Sequence, residues 1–153
     1  MSEMTRMTPS EAFVETLVAH GVTTVFGIAG SAYMDAMDPF PLAGIRFIPV
    51  CHEQNAAHMA DGYSRVTNRH GVCIGQNGPG ITNFVTPVKT AYWNHTPLLL
   101  VTPQAANKTI GQGGFQEVEQ MATFRDMVCY QEEVRDPSRI AEVLNRVILK
   151  AWR

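Results

Sequence analysis

Glu53 stands alone between the apolar run 45–50 and the segment 54–67, whose pattern is helical. A second apolar run, 72–75, leads into the turn Asn77-Gly78-Pro79-Gly80 and a further helical stretch. In an open α/β sheet, ligands bind outside the carboxyl ends of the strands, where these two strand-to-helix junctions would lie. A carboxylate there can do proton chemistry on a ligand, provided that the cleft shields it from water. Glu53 also fits a plainer role, a first-turn acid that complements the helix dipole.

The neighbouring candidates are weighed in the same way. Gly78-Pro79-Gly80 has neither the lysine of a phosphate-binding P-loop nor the spacing of the dinucleotide fingerprint. It is either a tight turn or a place where a ligand approaches bare backbone. Thr82 and Asn83 fall in the first turn of the next helix, where side chains and free N–H groups would face the cleft. In Gly111-Gln112-Gly113-Gly114-Phe115-Gln116-Glu117, Phe115 could give apolar cover and Gln116 a directional hydrogen bond. His52 and His58 are six residues apart, on different helical faces, unlike the pair in a H-E-x-x-H zinc site. His20, His70 and His95 are isolated and read as solvated or capping residues. Cys51, Cys73 and Cys129 are far apart, which predicts structural thiols rather than a disulfide framework or a zinc site.

The elements that must position these groups are legible in outline. Thr8-Pro9-Ser10-Glu11 has helix-start grammar, with Thr8 as cap, Pro9 in the first turn and Glu11 reaching back. That helix should run to about His20 and stop at Gly21. Strands are expected at 22–28, 45–50, 72–75 and 97–102, the last reading as buried on both faces. Helices are expected at 53–67 and 81–95, the second kinked at Pro87. Residues 103–114 form a long polar, glycine-rich loop, followed by a short helical segment at 115–124. A fifth strand is predicted at 127–134. After Asp136-Pro137 a last helix carries Ile140, Val143, Leu144, Val147, Ile148 and Ala151 along one face.

Alternating strands and helices predict an α/β fold, a doubly wound and mostly parallel sheet with helices on both faces. The 153 residues fit one domain, 1–153, with a real core. The chain stops at Arg153 inside a helix that should feed another strand, which predicts a fragment lacking its last strand. A net charge of −2 without a basic, aromatic-interleaved stripe argues against a nucleic-acid partner. The first six residues have no leader-type apolar core, and no run is long enough to span a bilayer, so a cytoplasmic chain is expected.

Taken together, these segments resemble the pyrimidine-binding (Pyr) domain of thiamine-diphosphate enzymes of the acetolactate synthase and pyruvate oxidase type. The resemblance rests on Phe26-Gly27-Ile28-Ala29-Gly30, on His52-Glu53 with Met59-Ala60-Asp61-Gly62-Tyr63-Ser64-Arg65, on Asn77-Gly78-Pro79-Gly80-Ile81-Thr82-Asn83 and on Phe115-Gln116-Glu117. Residues 77–83, 90–97, 104–120 and 130–139 are most similar to the sulfoacetaldehyde acetyltransferase branch.

The resemblance implies that Glu53 hydrogen-bonds N1′ of the cofactor's aminopyrimidine and favours the tautomer that activates the thiazolium. It places Ala29, Gly30, Gln76, Pro79 and Asn83 around the pyrimidine and brings Gln116 toward the reacting centre as a second catalytic residue. The cofactor implied is thiamine diphosphate with Mg²⁺. The G-D-G…N-N segment that holds Mg²⁺ and the diphosphate in the family is absent from this chain. A diphosphate-binding domain of another subunit is therefore the implied partner, in a homo-oligomer when complete, and the chain alone should be inactive. The implied reaction takes sulfoacetaldehyde and phosphate to sulfite and acetyl phosphate. Alternatives are the pyrimidine-binding subunit of a split decarboxylase of the sulfopyruvate type, or a non-catalytic binding module with this fold.

Overall fold

The structure is a computed structural model that describes residues 6–152. The expectations attached to the extreme N-terminus and to Arg153 lie outside these residues. The first helix, α1 (Pro9–Ala19), starts with a full capping box. Thr8 Oγ1 accepts from the Glu11 amide, and the Glu11 carboxylate accepts from the Thr8 amide. It ends where Gly21 adopts a φ of 73°, a conformation that costs glycine nothing.

Four strands follow in chain order: β1 (Thr24–Gly27), β2 (Arg46–Pro49), β3 (Gly71–Ile74) and β4 (Leu98–Val101). They pair in parallel in the order β2-β1-β3-β4. Among the described residues there are six more α-helices: α2 (Met34–Met37), α3 (Glu53–Thr67), α4 (Pro79–Asn83), α5 (Val85–Trp93), α6 (Gln120–Thr123) and α7 (Ile140–Lys150).

Strand alternation divides the interior into two cores. Val25, Val72, Ile74 and Leu99 point to one face, where they meet Val14 and Leu17 of α1, Phe40, and Leu144 and Ile148 of α7. Phe26 and Cys73 point to the other, against Ala56, Ala57 and Ala60 of α3, Ile81, Phe84 and Val88. The period of two in the strands thus places helices on both faces of one sheet. The sequence-based doubly wound α/β reading holds.

Small residues set the depth of α3. A Cβ at Gly71 would lie 2.1 Å from the Ala60 carbonyl oxygen, so helix and strand approach closer than any side chain would allow. With alanines at 56, 57 and 60 on the same face, α3 lies tight against the sheet and carries its first residue inward.

Several expectations need correction. Residues 127–134 form no strand, since Met127 and Val128 pack into the second core as side chains while the backbone joins no ladder. Among the described residues β4 is therefore an edge strand, and of its four residues Leu99 alone is buried. The helix expected at 81–95 is two helices, broken at Phe84 rather than kinked at Pro87. Pro87 falls in the first turn of α5, where its missing N–H has no partner to lose. The helix expected at 115–124 shrinks to α6. Cys73 is buried as a structural thiol should be, whereas Cys51 and Cys129 are exposed.

Candidate active site

In the order β2-β1-β3-β4 the chain leaves β1 toward one edge and returns over it to β3, so the topological switch lies between β1 and β3. The carboxyl ends of those two strands lead into Ile28-Ala29-Gly30 and Gly75-Gln76-Asn77-Gly78. The first residue of α3, Glu53, comes to the same place because α3 crosses above β1 and β3.

Glu53 is 9% exposed, which is unusual for a residue in the first turn of a helix. A helix-dipole acid would keep its carboxylate in water. This one is walled by Gly75 and Phe84: a Cβ at Gly75 would lie 2.4 Å from the Phe84 ring and 3.2 Å from Glu53 Cγ. The Asn83 side-chain amide donates to Glu53 Oε2 at 2.8 Å. Oε1 lies beside the bare Cα of Gly80, where a Cβ would be 3.1 Å away. One carboxylate oxygen is thus held by the protein, and the other borders the glycine of the turn.

Helix α3 is capped by His52, whose Nδ1 accepts from the Gln54 amide at 3.2 Å. That is a structural use of the residue preceding the acid. His58 is exposed on α3. Among the described residues no group of three or more His, Cys, Asp or Glu side chains converges as a metal site would.

The remaining predicted residues gather around this acid. Gly78 has a φ of 69° and starts α4, with Pro79 exposed at its first position. Ala29 is exposed at the rim, and a Cβ at Gly30 would fall 2.1 Å from Gln76 Oε1. Gln116 reaches the turn from the far end of the 103–119 loop. A Cβ at Gly78 would lie 2.7 Å from that of Gln116, so the two backbones touch because Gly78 has no side chain. Gln116 itself has a φ of 59°. A non-glycine residue in that region costs about 1 kcal/mol or more, and tertiary contacts must hold it there.

The oxygens Gln76 Oε1 and Gln116 Oε1 are buried without a hydrogen-bond partner. Such acceptors are costly unless something satisfies them. Gln76 Oε1 lies beside the bare Cα of Gly30, and both oxygens suit a ligand with N–H donors. Thr82, in contrast, is exposed and its hydroxyl donates to the Pro79 carbonyl at 3.0 Å, so it bonds back within α4 instead of facing the cleft.

Two residues here escaped the sequence reading. Tyr33 donates its hydroxyl to the Ile28 carbonyl, and burial together with the nearby Glu53 charge pushes its phenol up to about 12. Nothing in its sequence setting marked it. Asn77 is 5% exposed, and its amide donates to the Gln116 carbonyl at 3.0 Å and the Phe115 carbonyl at 3.4 Å. Its place at the head of the Asn-Gly-Pro-Gly turn was the available signal. Phe115, expected to wall the ligand, is 86% exposed on this chain.

A parallel sheet whose switch point carries a buried acid, a Gly-Pro-Gly corner and unpaired amide oxygens defines an α/β cofactor-binding domain. The chain belongs to the thiamine pyrophosphate enzyme family. The model described as "Thiamine pyrophosphate enzyme, N-terminal TPP binding domain" matches residues 7–123. Among its relatives, a probable sulfoacetaldehyde acetyltransferase of Rhizobium meliloti (strain 1021) is 70% identical over 148 residues, 97% of this chain and 25% of the relative. The sulfoacetaldehyde acetyltransferase of Rhodobacter capsulatus is 68% identical over 148 residues, with the same two shares. A probable acetolactate synthase large subunit of Methanocaldococcus jannaschii is 36% identical over 136 residues, 89% of this chain and 23% of the relative. The chain thus spans about a quarter of the length of these relatives.

Proposed function

We propose that this chain is the pyrimidine-binding N-terminal domain of a thiamine-diphosphate-dependent acetyltransferase. The whole protein converts sulfoacetaldehyde and phosphate into acetyl phosphate and sulfite. The observation that carries this reading is Glu53, a buried carboxylate at the sheet's switch point with one oxygen held by Asn83 and the other facing Gly80.

When bound, thiamine diphosphate supplies nucleophilic carbon chemistry toward carbonyl compounds. The residues present fit its aminopyrimidine. Glu53 Oε1 would share a proton with a ring nitrogen, and Phe84 and Gly75, which border the carboxylate, would limit the water that competes for it. Asn83 orients the carboxylate so that Oε1 presents to the ligand. Gln76 Oε1 would accept from a donor of the pyrimidine and Gln116 Oε1 would face the reacting centre, so that each would lose the penalty of being buried unpaired. Ala29, Gly30 and Pro79 line the rim, with no side chain long enough to fill the space. Mg²⁺ and the cofactor's diphosphate are held outside this chain, by a diphosphate-binding domain of another subunit, which makes the functional unit an oligomer.

The choice of sulfoacetaldehyde rests on the similarity to relatives of that name, at 68–70% identity in the examples above against 36% for the acetolactate synthase. The test is sulfite release by the full-length protein supplied with sulfoacetaldehyde, phosphate, thiamine diphosphate and Mg²⁺. Release of sulfite with matching acetyl phosphate is the expected result. Decarboxylation of sulfopyruvate without sulfite release would move the assignment to the split-decarboxylase reading.

A further inference from the structure

Gln116 lies about forty residues beyond the turn it faces, on a loop without regular structure from 103 to 119, yet it occupies a strained backbone conformation with a buried side-chain oxygen. Something must hold it. Glu117 organises the loop internally: its carboxylate accepts from the Gly111 amide at 2.6 Å and the Gly114 amide at 3.1 Å. Those bonds close the glycine turn but do not tie it to the sheet. Among the described residues, the hydrogen bonds joining this loop to the turn after β3 are those of Asn77, to the carbonyls of Phe115 and Gln116. No other described donor reaches either carbonyl.

We propose that Asn77 is a positioning residue that pins Gln116 against the Gly78 backbone and thereby fixes the loop side of the cofactor site. The chemistry suits the residue type. A carboxamide offers two N–H donors, and both target groups are carbonyl acceptors, so neither serine nor aspartate reproduces the pair. The bare Cα of Gly78 lets the Gln116 backbone close to contact distance, and Asn77 supplies the directional bonds that keep it there. Because Asn77 directly precedes the Gly-Pro-Gly corner, one short segment sets both the turn that borders Glu53 and the position of Gln116. The role rests on the reading of Gln116 as a residue of the thiamine-diphosphate site.

The experiment compares Asn77→Ala and Asn77→Asp with wild type in the full-length protein, by amide hydrogen exchange resolved to peptides and by kcat, KM and thiamine-diphosphate affinity. Aspartate preserves shape but presents acceptors to two carbonyls. Exchange at 111–117 should accelerate about tenfold in the alanine variant, the factor carried by a hydrogen bond of ordinary net strength, and more in the aspartate variant. Exchange in α3 and β3 should not change. In step with this, kcat should fall about tenfold while cofactor affinity moves less than about threefold. Unchanged exchange at 111–117 overturns the proposal, as does acceleration spread evenly over the domain or an unchanged kcat. The exchange measurement needs no cofactor. If wild type bound no thiamine diphosphate, the cofactor reading would fall, while exchange would still decide whether Asn77 holds the loop.

Discussion

The side-chain amide of Asn83 donates to Glu53 Oε2 across 2.8 Å, linking the last residue of α4 to the first residue of α3. The two residues are thirty apart in sequence, and each sits at a helix end that faces the same strand termini. This bond turns a buried carboxylate with two equivalent oxygens into one with a held oxygen and a presented oxygen. It also ties the acid to the Gly-Pro-Gly corner, since α4 begins at Pro79.

Replacing Glu53 with Gln keeps the shape and an acceptor for Asn83 but removes the proton-sharing oxygen. In the full-length protein, exchange of the thiazolium C2 proton of bound cofactor should slow by about a hundredfold or more, the scale of general acid–base catalysis. Proton exchange followed by NMR after acid quench measures it. An unchanged rate would remove Glu53 from the mechanism.

Gly80→Ala separates stability from function. Alanine is the better helix former, by up to about 1 kcal/mol, which offsets the tight contact its methyl group makes, so the thermal midpoint should move little. The new methyl group would lie 3.1 Å from Glu53 Oε1, on the side where the ligand must come. Affinity for thiamine diphosphate in the full-length protein should therefore fall at least about tenfold, corresponding to about 1.4 kcal/mol. Calorimetric titration reads the affinity, and equal affinity would show that Oε1 does not border the ligand.

Gly71→Ala probes how deeply α3 is seated. Its Cβ would lie 2.1 Å from the backbone oxygen of Ala60, which no side-chain motion can relieve. Overpacking of this kind costs about 1–3 kcal/mol, and α3 must lift from β3 to accommodate it. Urea denaturation should show a lowered midpoint. Because the lift also raises Glu53, cofactor affinity should fall together with stability, unlike the effect of Gly80→Ala.

His70 gives the domain a pH dependence. Burial, with His20 nearby as a further contribution, lowers its affinity for a proton, and a bond to the Ile148 carbonyl only partly offsets this. Its Nε2 donates to Ile148 at 3.2 Å while Nδ1 accepts from the Trp152 indole at 3.3 Å, an arrangement that requires the neutral ring. The folded-state pKa lies below the ordinary 6.5, so the unfolded chain binds the proton first as pH falls. Stability should be full above about pH 6.5, decline as pH drops toward the lower folded value, and level off beneath it. Urea midpoints between pH 8 and 5 test this, and His70→Phe should flatten the slope. Of the sequence reading of His70 as solvated or capping, the first half fails and the second holds: the ring is buried, and its bond to the Ile148 carbonyl caps the last turn of α7.

Periodicity and punctuation determined much of this protein. The capping box at Thr8 and Glu11, the bounds of α3, the four parallel strands and the positions of Glu53 and the Gly-Pro-Gly corner were all legible, because they depend on local dihedral preference and on alternating hydrophobicity. The order and spacing of the motifs carried the family. Tertiary structure decided what local pattern cannot hold. The apolar stretch at 127–134 became packing without a ladder, since side-chain burial and strand pairing are separate demands that one sequence pattern can meet singly. Glu53 changed from a helix-dipole acid to a buried one because α3 sinks onto Gly71, eighteen residues after α3 begins and on another element. Asn77 acquired its role from a carbonyl thirty-nine positions away. Contacts of that kind arise only when the sheet brings distant loops to the same strand ends, and there the physics of burial and unpaired acceptors fixes the site.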